Sequence, residues 1–211
     1  MQTAINQFRL NIRGVKELDS IHTLLIDKFP LLKERADEIL RAEIVMLVSA
    51  MDCYIHDIVR LSMIEMFQGT KSSNKYFDDF AISSKTVVNI LNTNNLVDRI
   101  GLFESEIQEI NSKDSYQSPA SIEYALRFLD IRNLWTVLSN DMGMKPDDIK
   151  STLSLIIHRR NKIAHEADFN QVTLTKNPID KMTCDSSIKF ISNFCEAINN
   201  YINNNGSQHI V

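Results

Sequence analysis

Between Ile157 and Glu166 the chain reads Ile-His-Arg-Arg-Asn-Lys-Ile-Ala-His-Glu. Five consecutive residues, His158 to Lys162, carry imidazole, guanidinium, amide or ammonium groups, directly after the apolar run Leu153–Ile157. In a chain of formal net charge −4 this is a concentrated basic patch. The side-chain types define the chemistry on offer. A guanidinium forks onto the oxygens of a phosphate or a carboxylate. An imidazole exchanges a proton near neutral pH. At 100° per residue, His158, Asn161 and His165 fall on one helical stripe, at i, i+3 and i+7. Arg160 follows Leu153 and Ile156 by seven and four residues, so it starts on the inward stripe. A guanidinium there is costly without a carboxylate, a phosphate or another partner. About 140° of helix and about 7.5 Å of rise separate Arg160 from His165. They meet on one ligand only if the helix loosens near Ala164, or if a second copy of the helix faces the first.

The helix carrying this segment has a clear start. Pro146 suits a first-turn position, and Asp147 and Asp148 meet the positive end of the helix dipole. It is expected to run to about Glu166. Ahead of it, Ile5, Phe8, Ile12, Val15, Leu18, Ile21 and Leu25 recur at three- and four-residue steps and predict a helix over 3–28. Pro30 resets the chain. Leu32, Ala36, Ile39, Ile44, Leu47, Met51, Ile55, Ile58 and Met66 then predict one long helix over 31–67, a spine of about ten turns. A polar loop (69–75) ends it. Shorter helices are expected over 83–92 and 95–110, with a loop over 111–119. A helix over 119–138 is broken near Asp130, and a last helix spans 178–202. Residues 69–118 are a candidate insertion, and 203–211 a frayed tail. The alternation in residues 169–176 is the one candidate strand. The expected fold is all-α, a single helical bundle with a long early helix and a late helix bearing the basic segment.

Composition agrees. Nine glycines and prolines in 211 residues fall far below the roughly 12% of average proteins, which argues against turn-rich sandwiches and barrels. The negative net charge supplies no global field toward nucleic acid or acidic lipid, so an RNA role rests on the local patch. Cys53, Cys184 and Cys195 are odd in number and irregular in spacing, which suits a reducing compartment. Cys53 and Cys195 sit in apolar helices and are expected in the core. No signal-like start and no membrane-length apolar run is present, so a cytoplasmic location is expected. No Gly-rich phosphate loop occurs, and no His or Cys spacing completes a metal shell, so neither a cofactor nor a metal is expected.

The segment Arg160-Asn161-Lys162-Ile163-Ala164-His165 resembles the signature of the HEPN superfamily: an arginine, four to six residues, then a histidine, often with Asn directly after the Arg. Arg159 to His165 also fits the spacing. The early helix reading AMDCYIHDIVRL (50–61) is similar to the acidic-aromatic helix of the RiboL-PSP-HEPN subgroup. The resemblance implies a metal-independent ribonuclease working as a homodimer, with two motif helices meeting across a two-fold axis. It implies that Arg160 holds phosphate oxygens, that His165 takes or orients the 2′-OH proton, and that Asn161 bonds the phosphate or fixes His165. The product would be a 2′,3′-cyclic phosphate. It further implies a setting in toxin–antitoxin systems or antiviral defence, with an antitoxin or nucleotidyltransferase-like partner. Some members are instead non-catalytic dimerisation or binding modules. Outside the family, a helical regulator of protein partners is the remaining alternative.

Plainer roles stand beside these. His165 fits a helix-end histidine and Arg160 a bridge between helices. Arg159 and Lys162 fit a solvated face, with contacts to an RNA backbone as the alternative. His158 fits a partly buried helix residue more readily than a proton donor. Asp52, between Val48 and Ile55, either bonds His56 one turn on or neutralises Arg160 as a supporting residue.

Overall fold

The computed structural model describes residues 1–206. Helix α1 (Gln2–Lys28) turns through Phe29 and a short 3-10 turn (Pro30–Leu32) into α2 (Lys33–Phe67), and the two lie along each other. Their seam is the apolar stripe read from the sequence: Ala4, Ile5, Phe8, Ile12 and Val15 from α1, against Leu47, Met51, Ile55 and Ile58 from α2. The stripe thins toward the end of α1, where Ile21 and Leu24 are exposed.

After α2 come a single turn α3 (Lys75–Asp78), α4 (Ser84–Asn92) and α5 (Leu96–Asn111). Each starts on a side-chain cap, from Asn74, Ser83 and Asn95 respectively, which satisfies a backbone N–H that has no partner inside the helix. The 69–118 stretch, a candidate insertion by sequence, contributes Phe103, Ile107 and Tyr116 to the same core as α1 and α2. Phe103 stacks on Phe67 at the end of α2, ring centroids 4.3 Å apart.

Helix α6 (Pro119–Leu126) opens on a reciprocal Ser118/Ser121 cap and passes through a 3-10 turn (Arg127–Leu129) into Asp130 at φ +62°. That left-handed residue is the break expected near this position. Helix α7 (Leu134–Met142) follows and ends on Gly143 at φ +64°. Helix α8 (Pro146–Glu166) buries Ile149, Leu153, Ile156 and Ile157. The 169–176 segment is not one strand but a small hairpin: β1 (Phe169–Asn170) pairs antiparallel with β2 (Thr175–Lys176).

Helix α9 (Lys181–Gly206) closes the bundle against α2, α7 and α1. Asp180 caps it, taking Thr183 N–H at 2.8 Å. The frayed-tail expectation over 203–211 is corrected for its first part, because residues 203–206 continue α9; 207–211 lie outside the described residues. Among the described residues the architecture is all-α apart from the hairpin, and no helix is long and apolar enough to cross a membrane.

Candidate active site

Arg159 and Arg160 leave α8 in different directions, about 100° apart. Arg159 turns toward the segment that enters α9. Its Nη2 donates to Asp168 Oδ2 at 2.7 Å and to the Pro178 carbonyl at 3.0 Å. Asp168 is fully buried, and the same oxygen accepts Arg41 Nε of α2 at 2.8 Å. Asn177 Nδ2 donates to the other oxygen at 3.1 Å, and Arg41 Nη2 reaches the Asn177 carbonyl at 2.7 Å. One carboxylate thus ties α2, the end of α8 and the approach to α9. A buried charge is tolerated when it is both paired and hydrogen-bonded, as here. The structure therefore places Arg159 in a fastening, not on the solvated face expected for it.

The fastening also fixes how α8 ends. Ala167 and Asp168 both adopt left-handed backbone, φ +51° and +59°. The Asp168 N–H reaches back to the Lys162 carbonyl at 3.0 Å. Such backbone costs roughly 1–2 kcal/mol per non-glycine residue and persists where surrounding contacts over-determine it. The bonds of Asp168 supply that constraint, directly after His165.

Arg160 faces the other way, toward the loop between α5 and α6. Its Nη1 donates to Gln117 Oε1 at 2.9 Å and to Asn161 Oδ1 at 3.0 Å. Its Nε is buried and has no hydrogen-bond partner among the described residues. A guanidinium has five N–H donors. Those on Nε and Nη2 are left without an acceptor among the described residues.

Gln117 is itself held. Its Nε2 donates to Asp52 Oδ2 at 2.8 Å, and the Tyr116 backbone N–H donates to Asp52 Oδ1 at 2.7 Å. Asp52 therefore neither hydrogen-bonds His56 nor touches Arg160 directly. His56 Nε2 stands 3.6 Å from Asp52 Oδ1, beyond hydrogen-bond length, and its ring lies 4.3 Å from that of Tyr116. Tyr116 is buried, and that burial, with Asp114 next in effect, pushes its hydroxyl up to about 12.

The remaining motif residues face outward. His158 and His165 are exposed, Asn161 and Lys162 are half-buried, and only Asn161 has a side-chain partner among the described residues. Leu155, one turn earlier, is 69% exposed on the same outward side. Within one protomer Arg160 and His165 stay on different faces, because α8 continues as regular helix through Glu166.

The cysteines do not mark a competing site among the described residues. Cys184 and Cys195 are buried, and desolvation pushes Cys184 up to about 12 and Cys195 well above its ordinary value. Cys53, expected in the core, is exposed on α2; partial desolvation and then Asp57 and Asp52 raise its thiol as well. Raised thiols are poor nucleophiles at neutral pH. Among the described residues no three His, Cys, Asp or Glu side chains are grouped to hold a metal ion.

Gln117 is the site residue that sequence reasoning missed. It lies in a loop without periodicity, and no spacing rule connects it to residue 160. The available signal was Asp52, a carboxylate inside an apolar helix that must find donors.

No curated protein and no solved structure is similar enough to the chain to count as a match. The RiboL-PSP-HEPN family model matches residues 11–204, which include α2 to α8 entirely, most of α1 and α9, and the whole Arg160–His165 segment. With an all-α bundle, and a motif helix followed by one last helix, the chain belongs to the RiboL-PSP-HEPN family.

Proposed function

We propose that the chain is a metal-independent endoribonuclease that acts as a homodimer. One observation carries this reading. Arg160 is held in place by neutral acceptors while the N–H donors on its Nε and Nη2 stay unused. A structural arginine pairs with a carboxylate, as Arg159 and Arg41 do nearby with Asp168, whereas Arg160 has no carboxylate on it among the described residues. An arginine with spare donors on a fixed fork suits phosphate oxygens.

The exposed stripe of Leu155, His158 and His165, with half-buried Lys162 beside it, supports the dimer, since these side chains are left uncovered among the described residues. A second copy of α8 across a two-fold axis would bring the His165 of one chain toward the Arg160 of the other. The 2′-OH beside the scissile phosphate is the internal nucleophile. His165 accepts or orients its proton. The 2′-oxygen bonds to phosphorus, the bond from phosphorus to the 5′-oxygen breaks, and that oxygen leaves as a hydroxyl after gaining a proton. Arg160 balances charge on the phosphate, and Asn161 orients Arg160. DNA, lacking the hydroxyl, resists cleavage. A role as a toxin or defence effector in the cytoplasm, silenced by an antitoxin or nucleotidyltransferase-like partner, belongs to the same proposal.

The test is cleavage of a labelled single-stranded RNA in EDTA by wild type, Arg160→Ala and His165→Ala. Cyclic-phosphate ends from the wild type, lost in both variants, support the reading. No cleavage of several RNAs by a folded dimer overturns it in favour of a non-catalytic HEPN module. One observation favours that second reading: no described residue orients His165 within its own protomer.

A further inference from the structure

We infer that Gln117 is a positioning residue for Arg160: its side-chain amide holds the guanidinium in register with Asp52 while keeping that carboxylate from neutralising it. The inference rests on the proposed phosphate role of Arg160.

The chemistry of the three groups makes the amide specific. A guanidinium only donates hydrogen bonds and an ionised carboxylate only accepts them. The group between Arg160 Nη1 and Asp52 Oδ2 must therefore accept at one end and donate at the other. The Gln117 amide does this, accepting at Oε1 (2.9 Å) and donating from Nε2 (2.8 Å). This polarity also fixes which amide atom is oxygen. The Tyr116 N–H on the second Asp52 oxygen clamps the loop, so the amide is presented from a fixed backbone.

The consequence concerns charge. A direct Arg160–Asp52 ion pair would occupy the fork that a phosphate needs and compete with it. The intervening amide keeps Asp52 one residue away, so its field orients Arg160 without contact. Asn161 Oδ1, the other acceptor on Nη1, is likewise uncharged. Both groups that hold Arg160 are neutral, whereas Arg159 and Arg41 are held by Asp168. The charged groups on the amide are Asp52 from α2 and Arg160 from α8; His56 and Tyr116 flank Asp52, and the Tyr116 hydroxyl in turn feels Asp114 and Tyr124.

Two substitutions test this in the full-length protein. Gln117→Met keeps length and removes both polar ends; kcat on RNA is expected to fall about tenfold, with KM changed less, because misorientation weakens transition-state contacts first. Gln117→Glu places a second acceptor against Asp52. When ionised it pairs with Arg160 and blocks it. With one proton bound it again accepts from Arg160 and donates to Asp52. Its kcat relative to wild type is therefore expected to recover toward acid pH and to fall as pH rises, a profile that a merely structural loop residue does not produce. Wild-type kcat in Gln117→Met, or a pH-independent ratio for Gln117→Glu, overturns the inference. Side-chain nitrogen NMR of Arg160 gives a readout free of catalysis. A restricted Nη1 signal in the wild type that averages in Gln117→Met supports the relay; an averaged signal in both overturns it. If the wild type cleaves no RNA, the ribonuclease reading fails by itself, and the NMR comparison decides the relay.

Discussion

Arg159 and Arg160 are adjacent in sequence, and α8 sends them into opposite kinds of environment. Arg159 joins Arg41 on a fully buried carboxylate, with two backbone carbonyls completing the set. Among the described residues Arg160 meets two neutral acceptors, the side-chain amide oxygens of Gln117 and Asn161. In the first arrangement the guanidinium charge is already balanced inside the protein by the buried Asp168 carboxylate. In the second no carboxylate among the described residues balances that charge by direct contact. What separates the two arginines is the charge of the acceptors already present, not the residue type.

The largest expected effect breaks the charge-paired side. Asp168→Ala leaves Arg41 and Arg159 without their shared counter-charge and releases the left-handed end of α8. A loss of about 3–5 kcal/mol is expected for a buried pair broken on one side, seen as a fall in the urea midpoint. Arg160→Ala and His165→Ala break the open side. RNA cleavage is expected to drop about 10²–10³-fold, while the urea midpoint stays close to wild type. A large loss of stability in Arg160→Ala would erase the distinction between the two arginines.

A second buried carboxylate sharpens the contrast. Glu43 is as fully buried as Asp168, but neither of its oxygens has a hydrogen-bond partner among the described residues. Desolvation, then Asp19, opposed by Lys181, pushes it from 4.5 up to about 7. Between these values the folded state holds a proton that the unfolded chain has released. Its stabilising share is therefore full below about pH 4.5 and is lost as pH rises through about 7. That share amounts to at most about 3 kcal/mol. Urea midpoints from pH 5 to 8 should fall for wild type and flatten for Glu43→Gln.

Smaller effects complete the comparison. Arg159→Ala leaves Asp168 paired with Arg41, so a loss of about 1–2 kcal/mol is expected, with cleavage by the remaining folded protein retained. His158→Ala removes an exposed imidazole with no partner among the described residues and should change stability by less than about 0.5 kcal/mol. A cleavage defect in His158→Ala as large as that of His165→Ala would move the proton-handling role along the helix.

Much of the fold was legible because its signals are local. Periodic apolar residues set α1, α2, α8 and α9, and Pro146-Asp147-Asp148 marked the start of α8. The hairpin at 169–176 was only half legible, since its turn depends on Leu174 taking φ +55°, which no residue type announces. The motif segment was legible by spacing, and helical geometry already put Arg160 on the inward stripe and His165 about 140° away from it. Cys53 was misplaced because α2 is apolar around more than one face, so position on a rich helix does not decide exposure.

The sequence by itself determined an all-α chain, the helix that bears Arg160, Asn161 and His165, and the family those residues belong to. These follow from spacing and composition along a few turns. Only the tertiary structure decided that Arg159 pairs with Asp168, that Asp52 reaches Arg160 through Gln117, and that Glu43 is buried without a hydrogen-bond partner among the described residues. Each of these depends on which side chains from distant segments arrive at the same place. Desolvation and hydrogen-bond saturation are properties of that meeting, and no single stretch of sequence carries them.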